Sequence, residues 1–260
     1  MKKQPKLILR ESCIDDVTHA WPAGSFVEMG AGTGQMSRLF LERGFTGAAH
    51  DLGVDSRKMI RERLAYAGER MRVVDDVAEL PVDAFDYLFA FEVLEHIEDD
   101  LEVLRGWMAH LKPGGRVLVS VPAHARKYGR SDLLVGHVRR YEKSGLLSML
   151  ADAGVGDVHV VNYGYPLTEV TRRISNRLVK HDHTYDDLTP EERSIRSAQA
   201  KPKVINRVLA LVSDKVVSPF RVVQRWFYGR DLGDGYVAWG TKRKLPRQVD
   251  TSKVEHPAAC

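Results

Sequence analysis

The chain reads as an α/β protein built on a doubly wound, mostly parallel sheet of seven strands, with a helical insertion ahead of the last strand. Short apolar runs alternate with stretches of helical periodicity from residue 25 to residue 121, the rhythm of right-handed β–α–β crossovers. A Gly-rich turn closes the first apolar run, and ligands of such sheets sit beyond the carboxyl ends of the strands. With 260 residues, 43% apolar and 28% charged, the composition is ordinary for a globular chain and the length suffices for a substantial core.

In chain order, residues 1–24 form a lead-in with a helix, and residues 25–28 are an apolar strand entering Met29-Gly30-Ala31-Gly32-Thr33-Gly34. A helical pattern over 36–43 and a second strand over 47–51, ending in Asp51, come next. Helix formers fill 55–67, where Asp55 offers an N-cap, and 71–74 is a third strand. Residues 85–91 are almost continuously apolar, as a strand covered on both faces should be. A helix over 100–111 stops at Lys112-Pro113-Gly114-Gly115, before a fifth strand over 116–121. A loop spans 122–141, a helix 143–153 and a sixth strand 158–163. Residues 166–230 turn helical and charged, with Pro190, Pro202 and Pro219 as boundaries. Alternation resumes in Gly235-Tyr236-Val237-Ala238-Trp239-Gly240, and 246–260 is a polar tail.

The net charge of +4 is mild and its basic residues are interleaved with 35 acids, so nucleic acid is not the expected partner. Cys13 and Cys260 stand near opposite termini, which argues against a disulfide scaffold and makes the cytoplasm the expected compartment. No apolar run approaches the roughly 18 residues of a membrane span. His181-Asp182-His183 supplies two ligands without a third, and no metal is expected.

The turn spaces its residues as Glu28-x-Gly30-x-Gly32-x-Gly34, which does not fit the dinucleotide G-x-G-x-x-G because Gln35 and Ser37 stand where the third glycine would fall. Four stretches together resemble class I S-adenosylmethionine-dependent methyltransferases over residues 25 to about 153. They are the 27–34 turn, Asp51, the run Asp75-Asp76-Val77-Ala78-Glu79-Leu80-Pro81, and Phe91-Glu92-Val93-Leu94-Glu95-His96 with the later Leu111-Lys112-Pro113-Gly114-Gly115. The last pair is similar to quinone-biosynthesis-type and related small-molecule methyltransferases. The resemblance implies a Rossmann-like fold, S-adenosyl-L-methionine as cofactor and S-adenosyl-L-homocysteine as product. The pattern along the chain divides it into a lead-in 1–24, a cofactor-binding core 25–165, a helical insertion or lid 166–230, a final strand 231–245 and a tail 246–260.

Carried over residue by residue, the resemblance makes Gly30, Gly32 and Gly34 the turn that lets backbone approach the methionine portion. Asp51 would accept both ribose hydroxyls, Asp76 the adenine amino group, and the Val77 amide would donate to an adenine ring nitrogen. Glu28 would receive the cofactor ammonium, and Glu92 lies where the family places residues near the transferred methyl. Glu95 and His96 read as structural.

A hydroxyl acceptor benefits from a general base, and His137 is the candidate, in a His-x-Arg-x-Tyr-like stretch that resembles one beside the family's acceptor site. The surrounding loop holds His124, Arg126, Lys127, Arg130, His137, Arg139 and Arg140 against Asp132, which suggests an anionic acceptor gripped by Arg126, Arg130, Arg140 and Tyr141. The insertion places Val204, Ile205, Val208, Leu209, Val212, Val216 and Val217 at helical spacing among Lys201, Lys203, Arg207 and Lys215. It reads as a lid on the sheet, or as a peripheral membrane contact serving a lipophilic acceptor. Methyl transfer to oxygen or nitrogen of a small molecule is therefore expected. Its rivals are a peptide N-methyltransferase and a non-catalytic cofactor-binding module, and the oligomeric state is not legible.

Overall fold

A computed structural model describes residues 4–178, 180, 187–189, 192–193 and 214–243. Helix α1 (Pro5–Thr18) precedes the sheet. Strands β1 (Ser25–Met29), β2 (Thr46–His50), β3 (Met71–Val73), β4 (Phe85–Phe91) and β5 (Leu111–Pro122) alternate with α2 (Gln35–Glu42), α3 (Val54–Arg63) and α4 (Asp100–Met108). The short α5 (Arg130–Val135) and α6 (Lys143–Asp152) lead to β6 (Val155–Tyr163). Helices α7 (Leu167–Leu178) and α8 (Asp214–Val223) then precede β7 (Gly235–Lys242).

The strands form one seven-stranded sheet in the order β3-β2-β1-β4-β5-β7-β6. All pairs from β3 to β5 are parallel, and β7 runs antiparallel to both β5 and β6. The chain winds outward from β1 to β2 and then from β1 to β4, so the switch point, where ligands of such sheets bind, lies at the carboxyl ends of β1 and β4.

Apolar residues on both faces hold the sheet in the middle layer. Helix α2 buries Met36, Phe40 and Leu41 at helical spacing. Its Phe40 ring lies 4.2 Å from Phe89 of β4 and 6.1 Å from Phe26 of β1, aromatic contacts that fix where α2 begins and so where the glycine turn ends. Helix α1 adds Ile8, Leu9, Cys13 and Ile14, all fully buried, to the same cluster.

Several boundaries differ from the sequence expectation for identifiable reasons. Gly53, not Asp55, occupies the N-cap of α3, and Asp55 lies in the first turn. Lys112-Pro113-Gly114-Gly115 does not end α4, which stops at Met108; it belongs to β5, at a shift in register against β4. Strand β6 starts at Val155 rather than 158, with a second register shift beside Asp157 at φ 50°. The expected 122–141 loop contains α5, and Pro219 sits inside α8 rather than at its boundary, at the cost of one helical hydrogen bond. Pro190, Pro202, His181-Asp182-His183, the apolar positions 204–212, the flanking Lys201, Lys203 and Arg207, and the tail lie outside the described residues.

Candidate active site

The turn after β1 is built to admit a ligand. Gly30, Gly32 and Gly34 all adopt positive φ, at 67°, 56° and 72°. A side chain on Gly30 would strike Val93, with its first carbon 2.5 Å from a Val93 methyl, whereas one on Gly32 would meet nothing within 4 Å. Gly32 therefore faces open space at the end of the strand.

Asp51, the first residue after β2, ties this loop to its own. Oδ2 accepts the Gly32 N–H at 2.8 Å and Oδ1 the Gly53 N–H at 3.0 Å, which fixes the carboxylate and leaves further lone pairs outward. Asp76 caps the short helical turn Val77–Glu79 by accepting the Ala78 N–H at 2.9 Å, and the neighbouring Asp75 is held by Arg57 and Arg61. Glu28 is buried in β1 with the Ser37 hydroxyl donating to it. Burial pushes its pKa up to about 7, and the Ser37 bond only partly offsets that.

A second group of residues gathers where β4 ends. Glu92 sits at φ 56° and accepts from Lys6 Nζ at 2.6 Å, from the Tyr163 hydroxyl at 3.2 Å and from the Ser120 hydroxyl at 3.4 Å; Arg10 stands 3.9 Å away. Burial alone would raise its pKa, but Lys6 and Arg10 outweigh it and hold the carboxyl well below the usual range. His137 is clamped from the opposite side. Its Nδ1 donates to Asp132 Oδ1 at 2.9 Å, so the neutral ring carries its lone pair on Nε2. His96 likewise donates from Nδ1 to the Gly136 carbonyl at 3.0 Å, and the two rings meet edge to face at 4.8 Å. Burial lowers both pKa values, that of His96 to about 4, so both rings are neutral near pH 7.

A family model described as a methyltransferase domain matches residues 7–160. The chain belongs to that family. The ubiquinone biosynthesis O-methyltransferase of Xanthomonas campestris pv. campestris is 30% identical over 105 residues, 39% of this chain and 44% of that protein. The one from Idiomarina loihiensis is 28% identical over 98 residues, 36% of this chain and 40% of that protein. The chain thus spans less than half the length of these relatives. Among solved structures, phosphoethanolamine N-methyltransferase 2 of Haemonchus contortus in complex with S-adenosyl-L-methionine matches with TM-score 0.55 and 16% identity, over 90% of this chain and 53% of that one. A putative sarcosine dimethylglycine methyltransferase from Galdieria sulphuraria matches with TM-score 0.58 and 13% identity, over 94% and 92%. The fold is that of class I methyltransferases. It is also the fold of the cyclase SpnF, at TM-score 0.56 and 16% identity over 91% and 80% of the two chains, so chemistry must be argued from the site.

In this methyltransferase-family chain the structure brings Glu28, the three glycines and Asp51 to one loop cluster, and sets Asp76 and Val77 just past β3. Glu92 and His137 share one electrostatic neighbourhood with Lys6. The expected grip on an anionic acceptor is corrected for two of its four members. Arg140 is buried between Asp132 at 2.9 Å and Asp234 at 3.0 Å, and the Tyr141 hydroxyl is buried on Asp100 at 2.6 Å. Lys127 is spent on Glu169 and two backbone carbonyls, and Arg139 on Asp100. Arg126 is exposed and Arg130 half-buried.

Three groups were not expected from sequence. Lys6 and Arg10, one helical turn apart on α1, reach the site from more than 80 residues before Glu92, and their i, i+4 spacing was the sole local hint. Glu95 is the third. It is 0% exposed and neither carboxylate oxygen has a hydrogen-bond partner among the described residues, so burial and nearby Glu92 raise its pKa far above the usual range. Glu95, His96 and His137 offer ligand atoms within 4.8 Å of one another. The expectation of no metal rested on a different segment, and this set has the donor chemistry for a divalent cation, with Asp132 orienting His137 from behind.

Proposed function

We propose that this chain transfers a methyl group from S-adenosyl-L-methionine to a hydroxyl oxygen of a small molecule, with His137 as the general base. The single observation that carries the reading is the lone pair of His137 Nε2. It is fixed by the Asp132 bond, kept neutral by burial, and set beside the end of β4 at the switch point of the sheet. The curated relatives are named as O-methyltransferases, which favours oxygen over nitrogen.

The residues present fit the cofactor. Open space over Gly32 leaves room for it, Asp51 keeps lone pairs for the ribose hydroxyls, and the uncompensated Glu28 carboxyl suits an ammonium. When bound, the cofactor supplies a methyl on a positively charged sulfur, so no covalent enzyme intermediate is required. His137 removes the acceptor proton as the new oxygen–carbon bond forms, and Asp132 stabilises the resulting imidazolium. Lys6, beside Glu92, adds positive charge that favours a developing oxyanion.

Turnover of hydroxylated aromatic acceptors with labelled cofactor tests the reading. His137→Asn should lower kcat by about 100-fold or more while leaving cofactor affinity unchanged. Unaltered turnover in that variant removes His137 as base. A second reading is favoured by Glu95, which has no hydrogen-bond partner among the described residues and sets one carboxylate oxygen 3.6 Å from His137 Nε2: a divalent cation held by Glu95, His96 and His137 that binds the acceptor oxygen directly. Activity lost on chelation and restored by one equivalent of cation, in the wild type but not in Glu95→Gln, would select it over a metal-free base.

A further inference from the structure

A buried row of ion pairs runs from the proposed base to the residue before β7. His137 Nδ1 donates to Asp132 Oδ1 at 2.9 Å, and Arg140 Nε donates to the same oxygen, also at 2.9 Å. The other Asp132 oxygen is taken by the Gly129 N–H at 2.9 Å, so the two partners share what is left. From the same guanidinium, Arg140 Nη1 reaches Asp234 Oδ1 at 3.0 Å and the Ala123 carbonyl at 3.2 Å. Arg172 of α7 stands 3.1 Å from Asp234 and 2.6 Å from Glu169, and Lys127 lies 3.1 Å from Glu169. Three cations thus face three carboxylates, and the side chains of Asp132, Arg140 and Asp234 are no more than 5% exposed.

Asp234 is the anchored end of this row. Its N–H donates to the Tyr163 carbonyl at 3.1 Å and its C=O accepts the Ala123 N–H at 3.0 Å, so the ends of β5 and β6 hold its backbone. The Arg140 guanidinium keeps its charge at any working pH, and in a buried place that charge must be met by carboxylates. With Asp234 present, two acids divide the guanidinium between them, and Asp132 Oδ1 can serve Arg140 and His137 together. With Asp234 uncharged, Asp132 is the one carboxylate left in contact, and the guanidinium closes on it fork to fork at the expense of the imidazole. An imidazole without its acceptor is free to carry its proton on Nε2, where the lone pair is needed.

We infer that Asp234, 94 residues beyond Arg140, is a positioning residue for methyl transfer: through Arg140 and Asp132 it fixes the tautomer of His137 and keeps the Nε2 lone pair available to the acceptor. The inference rests on His137 being the base. It gives Arg140 a task in a loop rich in cations, since a guanidinium committed to two buried acids steadies the base instead of gripping the acceptor.

The test compares wild type with Asp234→Asn, which keeps the shape and removes the charge, and with Arg140→Lys, which keeps the charge and removes the fork. Read-outs are kcat, acceptor KM, cofactor Kd and the nitrogen NMR spectrum of histidine-labelled protein near neutral pH, with the His137 signals identified by their loss in His137→Asn. Each variant should lower kcat about tenfold or more with KM and Kd within about twofold, and should turn a single Nδ1–H tautomer of His137 into a mixture. A kcat within about twofold of wild type, or a lowered kcat with the His137 signals unmoved, overturns the inference. Arg140→Lys decides the matter should Asp234→Asn fail to fold. The His137→Asn rate separates the two failures: a loss of about 100-fold there beside an unimpaired Asp234→Asn removes the positioning role and leaves the base standing, whereas an unimpaired His137→Asn removes both.

Discussion

Glu28 is a carboxyl in the wrong solvent, buried in β1 with one hydroxyl donor, and its folded pKa of about 7 exceeds the ordinary value of 4.5. The folded state therefore binds more protons than the unfolded chain between those two values. The resulting stabilisation is full below the lower one and is lost as pH rises through the higher, up to about 3 kcal/mol. An ammonium placed against Glu28 requires the ionised form, so cofactor binding should release a proton and tighten as pH rises from about 6 to 8, by up to about tenfold per unit below the pKa. Calorimetry in buffers of different ionisation enthalpy reads the proton directly. Glu28→Gln should flatten the slope, and a wild-type affinity independent of pH would place the ammonium elsewhere. The positive-φ turn of Gly30 and Gly34 was legible in the sequence because spacing along one turn encodes it, and Asp51 was legible as the acid that closes β2. Arg140 and Tyr141 were misread because a count of charges along a loop does not see Asp234 and Asp100, which arrive from other elements.

At the scale of elements, α1 is the piece whose role the sequence hid. Its apolar positions anchor it to one face of the sheet, and Lys6 and Arg10 then tie its first turns to Glu92 at the end of β4. Lys6→Met should leave the buried Glu92 with two hydroxyl donors and the more distant cation of Arg10, and destabilise the fold by about 1 to 3 kcal/mol, below the usual figure for a buried pair because Lys6 keeps some contact with water. Urea titration reads this, and adding Glu92→Gln should recover part of the loss, with a coupling of about 1 kcal/mol between the two sites. Strict additivity would mean that α1 is held by its apolar face alone. Elements with a strong apolar signal, the continuous run of β4 and the periodic stripe of α2 above all, were read from the sequence close to their true ends. Those that begin or end at bulges, β5 and β6, were read short, because a glycine in a strand carries the same local signal as a glycine that ends a helix.

Over the whole molecule, the proposed function divides the sheet between two tasks. The residues proposed to hold the cofactor span 28 to 77 and come from the carboxyl ends of β1, β2 and β3, with β4 alongside, while the proposed base follows β5 in a segment that Arg140 ties between Asp132 and Asp234. A ligand in the first half ties together strands distant in sequence and binds the folded chain alone, so it must stabilise the fold by mass action. At a concentration about 100 times its Kd, S-adenosyl-L-homocysteine should add about 2.7 kcal/mol, which for a chain of this size raises the thermal midpoint by about 5 to 10 °C. Removing the Asp51 carboxylate takes away a charge-assisted pair of hydrogen bonds and should weaken Kd by about 30- to 100-fold. Asp51→Ala at the same ligand concentration should then shift by no more than about 1 to 4 °C. Differential scanning fluorimetry makes the comparison in one plate. A wild type that gains nothing, or an Asp51→Ala variant that gains as much as the wild type, would mean that the nucleoside does not lie across the ends of β1 and β2.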